Sequence, residues 1–132
     1  MGLTFQPKPG MVLICDFRGF EPPQMVKRRP VVVRAANRDN AQLVTVIPLS
    51  RTRPWRPQVW HYRLVRPLNP LDIEAPVRAK CDLVSTVSTS RLALVHIEGA
   101  RYGPLRMQTS DFIAVHRAAV AALGSPKRQT VP

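Results

Sequence analysis

The sequence is short of acidic residues, with 8 Asp and Glu against 20 Lys and Arg in 132 residues, which leaves a net charge of +12. Sixteen of the basic residues are arginine, and the planar arginine guanidinium matches the oxygens of a phosphate bidentately. The imbalance therefore favours a nucleic-acid partner. Two other interpretations stay open on charge alone: an acidic protein partner, or an origin in an arginine-rich proteome.

Long apolar runs are also missing. No stretch of the sequence approaches the roughly 20 apolar residues that span a bilayer. Residues 1–10 also lack the apolar segment of a secretory signal. We therefore expect a cytoplasmic protein without a membrane partner.

Cysteine and histidine are scarce as well. Cys15 and Cys81 each lie in an apolar run and precede an aspartate, which predicts reduced, buried thiols of a cytosolic protein, with a disulfide as the less favoured alternative. The three histidines and two cysteines lack the spacing of metal ligands. We therefore expect no metal site and no cofactor.

Proline, by contrast, is frequent, with 14 residues, which favours short segments over long helices. Apolar and β-branched runs predict strands at residues 11–17, 31–35, 43–49, 58–65, 78–87 and 92–97. One helix is predicted at residues 111–123, with Thr109 or Ser110 as its cap and Gly124 at its end. The pattern predicts a mainly β (α+β) fold, a small and strongly curved antiparallel sheet or barrel with a C-terminal helix. We expect one domain over residues 1–124 and a flexible basic tail at residues 125–132.

Residues 27–50 hold the strongest candidate for chemistry. Three cations, Lys27, Arg28 and Arg29, precede Pro30 and an apolar strand, and the next predicted strand ends at Ser50. An arginine at the mouth of one strand and a hydroxyl at the end of the next can meet at one edge and bind a phosphate. The alternative is a solvated basic edge and a serine that only stabilises a turn.

A second basic segment, RTRPWRP, follows at residues 51–57. It combines cations with an aromatic ring, as surfaces that bind single-stranded nucleic acid do. In the strand predicted after it, Trp60 and Tyr62 share one face and suit a core, while His61 and Arg63 share the other. The predicted RNA-binding residues are Lys27, Arg28, Arg51, Arg53, Trp55, Arg56, His61 and Arg63.

The sequence contains a series of short motifs: CDF at residues 15–17, RPVVV at 29–33, PLS at 48–50, CDL at 81–83, TV at 86–87 and RL at 91–92. In their order, and over residues 10–123, they resemble the motifs of the MazF/PemK family of toxin endoribonucleases. The segment MVKRRPVVV at residues 25–33 is most similar to that of a PemK-like subgroup.

The resemblance implies an SH3-like barrel of the MazF/PemK/CcdB type that forms a homodimer. It also implies metal-independent cleavage of single-stranded RNA, including mRNA, at short sequences, and a small acidic antitoxin as partner. The family's catalytic arginine falls on Arg29 and its catalytic hydroxyl on Ser50, where the family usually has threonine. Glu21 is expected to orient Arg29 or to act as a base, with a simple charge partner as the alternative.

Besides Ser50, the chain departs from the family pattern in three places. Leu83 stands where the family has glutamine and Ser85 where it has arginine, and the loop at residues 18–28 is longer. Two other functions stay open. One is a nucleic-acid-binding module, for RNA or DNA, that kept the barrel and lost cleavage. The other is an inhibitor of a protein target, because a related barrel poisons DNA gyrase.

Overall fold

The computed structural model describes residues 2–68, 76–99, 101–103 and 105–124. Ten short strands precede one helix, α1 (Thr109–Leu123). The strands are β1 (Met11–Asp16), β2 (Arg28–Ala36), β3 (Leu43–Ser50), β4 (His61–Arg63), β5 (Arg78–Lys80), β6 (Ser85–Ser88), β7 (Leu92–Ala93), β8 (Val95–Glu98), β9 (Arg101–Gly103) and β10 (Leu105–Arg106). The predicted tail at residues 125–132 lies outside the described residues. Within the described ranges, no helix has both the length and the apolar character needed to cross a membrane.

Eight of the strands form one antiparallel sheet in the order β10-β1-β2-β3-β5-β4, and β8 and β9 form a separate hairpin. β7 joins the sheet beside β1, and β6 joins it beside the first half of β3. The predicted class, an antiparallel β fold with a C-terminal helix, is confirmed. Over the residues that the structure describes, the strand pairs leave the sheet open between β10 and β4 rather than closing it into the expected barrel.

The central strands are apolar because the sheet is covered on both faces. One core includes Val12, Val32 and Ile47 and takes in the inner face of α1. The other, on the opposite face, includes Leu13 and Val31. Alternate residues of one strand therefore enter different cores, which is the pattern of a strand buried on both sides.

Three predicted strands are shorter or broken in the structure. The strand predicted at residues 58–65 is only β4, because soon after it the backbone N–H groups of Val65 and Arg66 donate to Asp111 of α1. The strand predicted at 78–87 divides into β5 and β6 around a turn in which Leu83 N–H donates to Lys80 O. The strand predicted at 92–97 divides into β7 and β8, and β9 and β10 were not predicted.

Helix α1 ends at Gly124 as predicted, with a φ of 79° that suits glycine. Its predicted cap is wrong: the N-cap residue is Gln108, and no side chain makes a capping hydrogen bond there. The acidic residue of the first turn, Asp111, does not cap the helix. Its carboxylate accepts hydrogen bonds from Tyr62 on β4 and from the backbone just after β4.

Asp111 fastens α1 to the segment that follows β4. Its side chain is 1% exposed. One carboxylate oxygen accepts hydrogen bonds from the Tyr62 hydroxyl at 2.7 Å and from Val65 N–H at 3.0 Å, and the other accepts from Arg66 N–H at 2.9 Å. Burial and the Asp111 hydrogen bond raise the pKa of Tyr62 to about 12. The end of β4 is thus held against the helix.

A second contact fastens the middle of α1. The register of β2 shifts between Val33 and Ala35, and a bulge of this kind re-aims the side chain of the extra residue. That residue, Arg34, donates from Nε to His116 Nδ1 at 3.0 Å, and its guanidinium lies 5.6 Å from the centre of the Phe112 ring.

Both cysteines are free and buried, as predicted. They lie in different cores, Cys15 with Leu13 and Cys81 with Ile47. Burial is the main cause that raises the pKa of the Cys15 thiol to about 12 and that of Cys81 to about 11, from an ordinary 9.0.

We expect the protein to lose stability in alkali. The folded state keeps both thiols neutral up to about pH 11, whereas the unfolded chain ionises them from about pH 9 and therefore binds fewer protons in between. The free energy of unfolding should stay level below about pH 8 and fall as the pH rises from 9 toward 12. Urea unfolding at a series of pH values measures this dependence.

The same prediction has a chemical control. At about pH 8, iodoacetamide should leave both thiols unmodified in the native protein and alkylate both in urea, because the thiolate is the nucleophile. Rapid alkylation of the native protein, or a flat alkaline stability profile, would contradict the assignment.

Candidate functional site

Arg29 and Ser50 come together at the end of the β2–β3 pair. Val31 lies opposite Pro48 in the register of these strands, and continuing that register by two residues brings Arg29 level with Ser50. Both line one cavity of about 270 Å³. The other lining residues are Ile14, Arg28, Pro30, Leu49, Arg51 and Val77. The cavity is therefore lined by three arginines, one hydroxyl and apolar side chains, with no carboxylate among its described walls.

The Ser50 hydroxyl stabilises a turn and also lies at the cavity where a phosphate could bind. The residue is 6% exposed, and Oγ accepts a hydrogen bond from Thr52 N–H at 3.0 Å. That bond stabilises the turn after β3, and it also fixes where Oγ sits. A hydroxyl has one proton to donate, and among the described residues no acceptor takes it. Ser50 is thus a positioned donor at the wall of the cavity.

Arg29 is half-buried in β2, and none of the hydrogen bonds or ion pairs among the described residues engages its guanidinium. Apolar neighbours such as Ile14 and Val77 reduce the water around this cation. Lower local polarity strengthens its attraction for an anion that enters the cavity. The geometry suits a phosphate, since a guanidinium and a hydroxyl can both donate to its oxygens.

Glu21 is not brought to this cavity. It lies exposed in the loop after β1, where its backbone N–H donates to Gln24 Oε1 at 3.0 Å. Over the described ranges its carboxylate makes no ion pair with Arg29. The expected role of Glu21 as a base or as an orienting residue has no contact to support it here.

The second basic segment forms an exposed loop between β3 and β4. Trp55 is 86% exposed, and the Arg56 guanidinium lies 5.0 Å from the centre of its ring. Arg53 is also exposed, whereas Arg51 lies at the cavity wall. An exposed indole beside an arginine, in a loop with two further arginines, provides a platform on which a nucleobase can stack.

Of the other predicted RNA-binding residues, only Arg28 is among the described residues that line the cavity. Lys27 is exposed one residue before β2. Arg63 is exposed on β4, and His61 Nδ1 accepts a hydrogen bond from Gln58 N–H at 2.9 Å. Trp60 and Tyr62 pack against the core that faces α1, which confirms the division of this strand into a core face and an outer face.

A second, polar cavity of about 220 Å³ shares Arg28 with the first. It is lined by Asp16, Arg18, Ser90 and Arg91 in addition. Hydrogen bonds from Arg18 hold the pKa of the Asp16 carboxyl at about 2. Arg91 donates to the backbone carbonyl oxygens of Asp16 and Arg18 at 2.8 and 2.9 Å. The Asp16 carboxylate is thus bound by Arg18, and the Arg91 guanidinium by the backbone.

Sequence reasoning missed Arg78, which lies directly opposite Ser50 in the β3–β5 register. The residue was placed in a strand, but the partner of that strand could not be read from the sequence. The available signal was the sequence Arg78-Ala79-Lys80, in which an apolar residue separates two cations. In a strand, this pattern places both cations on the same outward face. Among the described residues, no group of three His, Cys, Asp or Glu is arranged as metal ligands are.

Known proteins resemble this chain in sequence and in fold. The sequence profile described as "PemK-like, MazF-like toxin of type II toxin-antitoxin system" matches residues 8–118. Among curated proteins, none matches the sequence.

Solved structures with the same fold were found. MazF (Form-I) from Deinococcus radiodurans is 14% identical, with a TM-score of 0.66 over 92% of this chain and 99% of that one. An endoribonuclease in complex with its cognate antitoxin, from a mycobacterial species, is 20% identical, with a TM-score of 0.60 over 92% and 98%. The Mycobacterium tuberculosis toxin MazF-mt6 is 22% identical, with a TM-score of 0.56 over 86% and 95%.

Proposed function

Because the chain belongs to the family of PemK-like, MazF-like toxins of type II toxin–antitoxin systems, we propose that it is an endoribonuclease that cleaves single-stranded RNA without a metal ion. The observation that carries the proposal is that Arg29 and Ser50 line one cavity, where a guanidinium and a hydroxyl can both donate to the oxygens of a phosphate. A phosphodiester is an anion that such a cavity attracts. Two structural relatives, one named as an endoribonuclease and the other as the toxin MazF-mt6, support the same reaction class.

The proposed reaction uses the nucleophile that RNA itself supplies. The 2′-hydroxyl attacks the adjacent phosphorus and gives its proton to solvent, and the bond from phosphorus to the 5′-oxygen breaks. The 5′-oxygen takes up a proton from water. Arg29 stabilises the charge that develops on the non-bridging oxygens, and Ser50 donates a hydrogen bond to one of them. The products are a 2′,3′-cyclic phosphate and a 5′-hydroxyl.

The test is to incubate the purified protein with single-stranded RNA in the presence of a chelator and to analyse the ends of the products. We expect fragments that end in a 2′,3′-cyclic phosphate, and no cleavage of the DNA oligonucleotide of the same sequence, because DNA lacks the 2′-hydroxyl. RNA that stays intact but is bound would favour the nucleic-acid-binding module. Growth inhibition that survives Arg29→Ala would favour a protein target.

The partner proposed for regulation is a small acidic antitoxin. The net charge of +12 gives an acidic protein a strong electrostatic attraction, and the solved relatives include an endoribonuclease with its cognate antitoxin and a MazE-MazF complex. We further propose that the chain is one domain, acts in the cytoplasm where mRNA is found, and forms a homodimer. Sedimentation of the protein alone tests the homodimer. Sedimentation together with a small acidic protein encoded by an adjacent gene tests the antitoxin complex.

Trp55 is expected to stack on a base of the bound RNA. Replacing it by alanine should weaken binding by about 1–3 kcal/mol, the usual cost of losing one base-stacking ring. In a Trp60→Phe background, Trp55 is the remaining tryptophan, and its fluorescence should be quenched when RNA binds. Fluorescence titration and filter binding measure the two effects.

The matched control is Val59→Ala, because Val59 is also apolar and is 77% exposed in the same loop region. This variant should bind RNA as the wild type does. Equal affinities for wild type and Trp55→Ala would show that the ring does not stack on a base.

A further inference from the structure

Two arginines face each other directly across neighbouring strands. Arg63 on β4 lies opposite Arg78 on β5, and the next outward pair in the same register is His61 opposite Lys80. Like charges placed opposite each other destabilise a sheet. The ion pairs among the described residues include no carboxylate partner for either arginine, since the one ion pair found there joins Arg18 to Asp16. Within the described ranges, these two cations therefore face each other without an acidic side chain between them.

The arginine pair is aligned with the candidate catalytic residues. Arg78 lies opposite Ser50, and Ser50 is level with Arg29 when the β2–β3 register is continued. Residues paired across an antiparallel sheet point to the same face. Arg29, Ser50, Arg78 and Arg63 thus form one row that crosses β2, β3, β5 and β4 at right angles to the strands. With about 4.8 Å between neighbouring strands, the row is roughly 14 Å long.

We propose that this four-residue row is a track for the RNA backbone, in which Arg78 and Arg63 bind the phosphates that follow one another on one side of the cleaved bond. The inference rests on the proposed function, since it takes the phosphate at Arg29 and Ser50 as the starting point. It adds a direction: the single strand runs across the β-strands, from β2 toward β4, and not along them. Arg78 and Arg63 are then binding residues that the chemistry itself does not need.

RNA fits this row better than an acidic protein does. The outward side chains of β4 and β5 are His61, Arg63, Arg78 and Lys80, with no apolar residue among them, because Tyr62 and Ala79 point into the core. Protein interfaces carry apolar or aromatic residues at their centre and are depleted of charge there. A row of cations beside a phosphate site, with an exposed indole in the adjoining loop, is instead the arrangement used for single-stranded nucleic acid.

The test measures how RNA binding depends on salt. The probe is a single-stranded 2′-O-methyl RNA of mixed sequence and about 16 nucleotides, the upper end of a single-stranded site, which cannot be cleaved because its 2′-hydroxyls are blocked. Each phosphate contact contributes about 0.7 to the slope of log affinity against log salt. Arg78→Ala and Arg63→Ala should each lower the slope by about 0.7. If variant and wild type bind equally at 1 M salt, each variant then binds about fivefold more weakly than the wild type at 0.1 M salt. The double variant should lose about 1.4 in slope and about 25-fold in affinity.

The matched control is Arg38→Ala. Arg38 is an exposed arginine two residues beyond the opposite end of β2, and its removal should leave the slope unchanged. Removing either member of the like-charge pair should not lower the melting temperature, which separates loss of a phosphate contact from loss of the fold.

Several results would overturn the track. A wild-type slope in the double variant would do so, and so would weakened binding of polyglutamate with unchanged binding of RNA, which would assign the row to an acidic protein. A wild-type protein that does not bind the probe also overturns it. The proposed function has its own test, since it fails if cleavable RNA gives no cyclic-phosphate products. The salt slopes are measured with uncleavable RNA and do not depend on that result.

Discussion

Replacing Arg29 by alanine is expected to lower kcat/KM for RNA cleavage by about 10²–10³-fold, the usual effect of removing one group that stabilises a developing oxyanion. The effect should be large because Arg29 is half-buried beside apolar residues in the cavity that also contains Ser50. A cation in such a site is less solvated, and it interacts with the charge of the transition state more strongly than a fully solvated one. Single-turnover cleavage of a defined RNA measures the change.

Two companion variants decide whether the loss is chemical. Arg29→Lys keeps the charge but not the planar fork that binds two phosphate oxygens, so it should recover only part of the activity. Arg38→Ala removes an exposed arginine at the far end of β2 and should cleave as the wild type does. Thermal unfolding of Arg29→Ala should stay within roughly 1 kcal/mol of wild type, because no described hydrogen bond uses its guanidinium. Wild-type cleavage by a folded Arg29→Ala would refute the assignment.

The part of the site that the sequence predicts is the part built from local pairing. β2 and β3 are joined by a short turn in which Asn37 Oδ1 accepts hydrogen bonds from Asp39 N–H and Asn40 N–H at 2.9 and 2.8 Å. Asparagine followed by such residues is a turn signal that can be read directly from a sequence. Once the turn is placed, an arginine before β2 and a serine at the end of β3 must lie at the same edge.

The remainder of the site depends on long-range pairing. Ser50 and Arg78 are adjacent in the sheet although 28 positions separate them, and the pairing that joins them is decided by packing of residues such as Leu49 and Ala79 in the core. No turn signal connects these strands. The alternation of β5 shows only that Arg78 and Lys80 share a face, and not which strand lies beside them.

Asp111 shows a different limit of sequence reasoning. An acidic residue in the first turn of a helix is well explained by the helix dipole, and the sequence supports nothing beyond that. In the structure the same carboxylate is buried and accepts three hydrogen bonds from the segment around β4. The local rule explains why an acidic residue suits this position of the helix. It does not identify the hydrogen-bond partners, because they lie 45–49 positions earlier in the chain.

Replacing Asp111 by alanine is expected to destabilise the protein by about 3–4 kcal/mol. Three hydrogen bonds to a charged acceptor are lost, and water restores only part of them because the site is buried. For a chain of this length, that loss corresponds to a fall of roughly 10–15 °C in melting temperature. Asp111→Asn keeps the shape and one acceptor oxygen and should cost less. Thermal and urea unfolding provide the measurement.

A double-mutant cycle with Tyr62→Phe identifies the interaction responsible. Tyr62→Phe alone should cost about 1–2 kcal/mol, and the double variant should cost about 1 kcal/mol less than the sum of the two single variants, because the hydroxyl and the carboxylate are lost together. The pKa of Tyr62 should also move from about 12 back toward its ordinary value in Asp111→Asn, since the hydrogen bond that helps to raise it is weakened. Absorbance titration in a Tyr102→Phe background isolates this tyrosine. Additive costs, or an unchanged Tyr62 pKa, would show that the two side chains do not interact.

The stability of this contact also bears on RNA binding. Arg63 follows Tyr62 directly, and its position opposite Arg78 requires that β4 stay paired with β5. Two like charges do not hold that pair together, so the pairing depends on the core below it and on the Asp111 anchor beyond it. We therefore expect Asp111→Ala to weaken binding of the uncleavable RNA even where the protein is still folded, and to lower the salt slope by about as much as Arg63→Ala does. An Asp111→Ala protein that melts early but binds RNA with the wild-type slope would show that β4 keeps its place without the anchor.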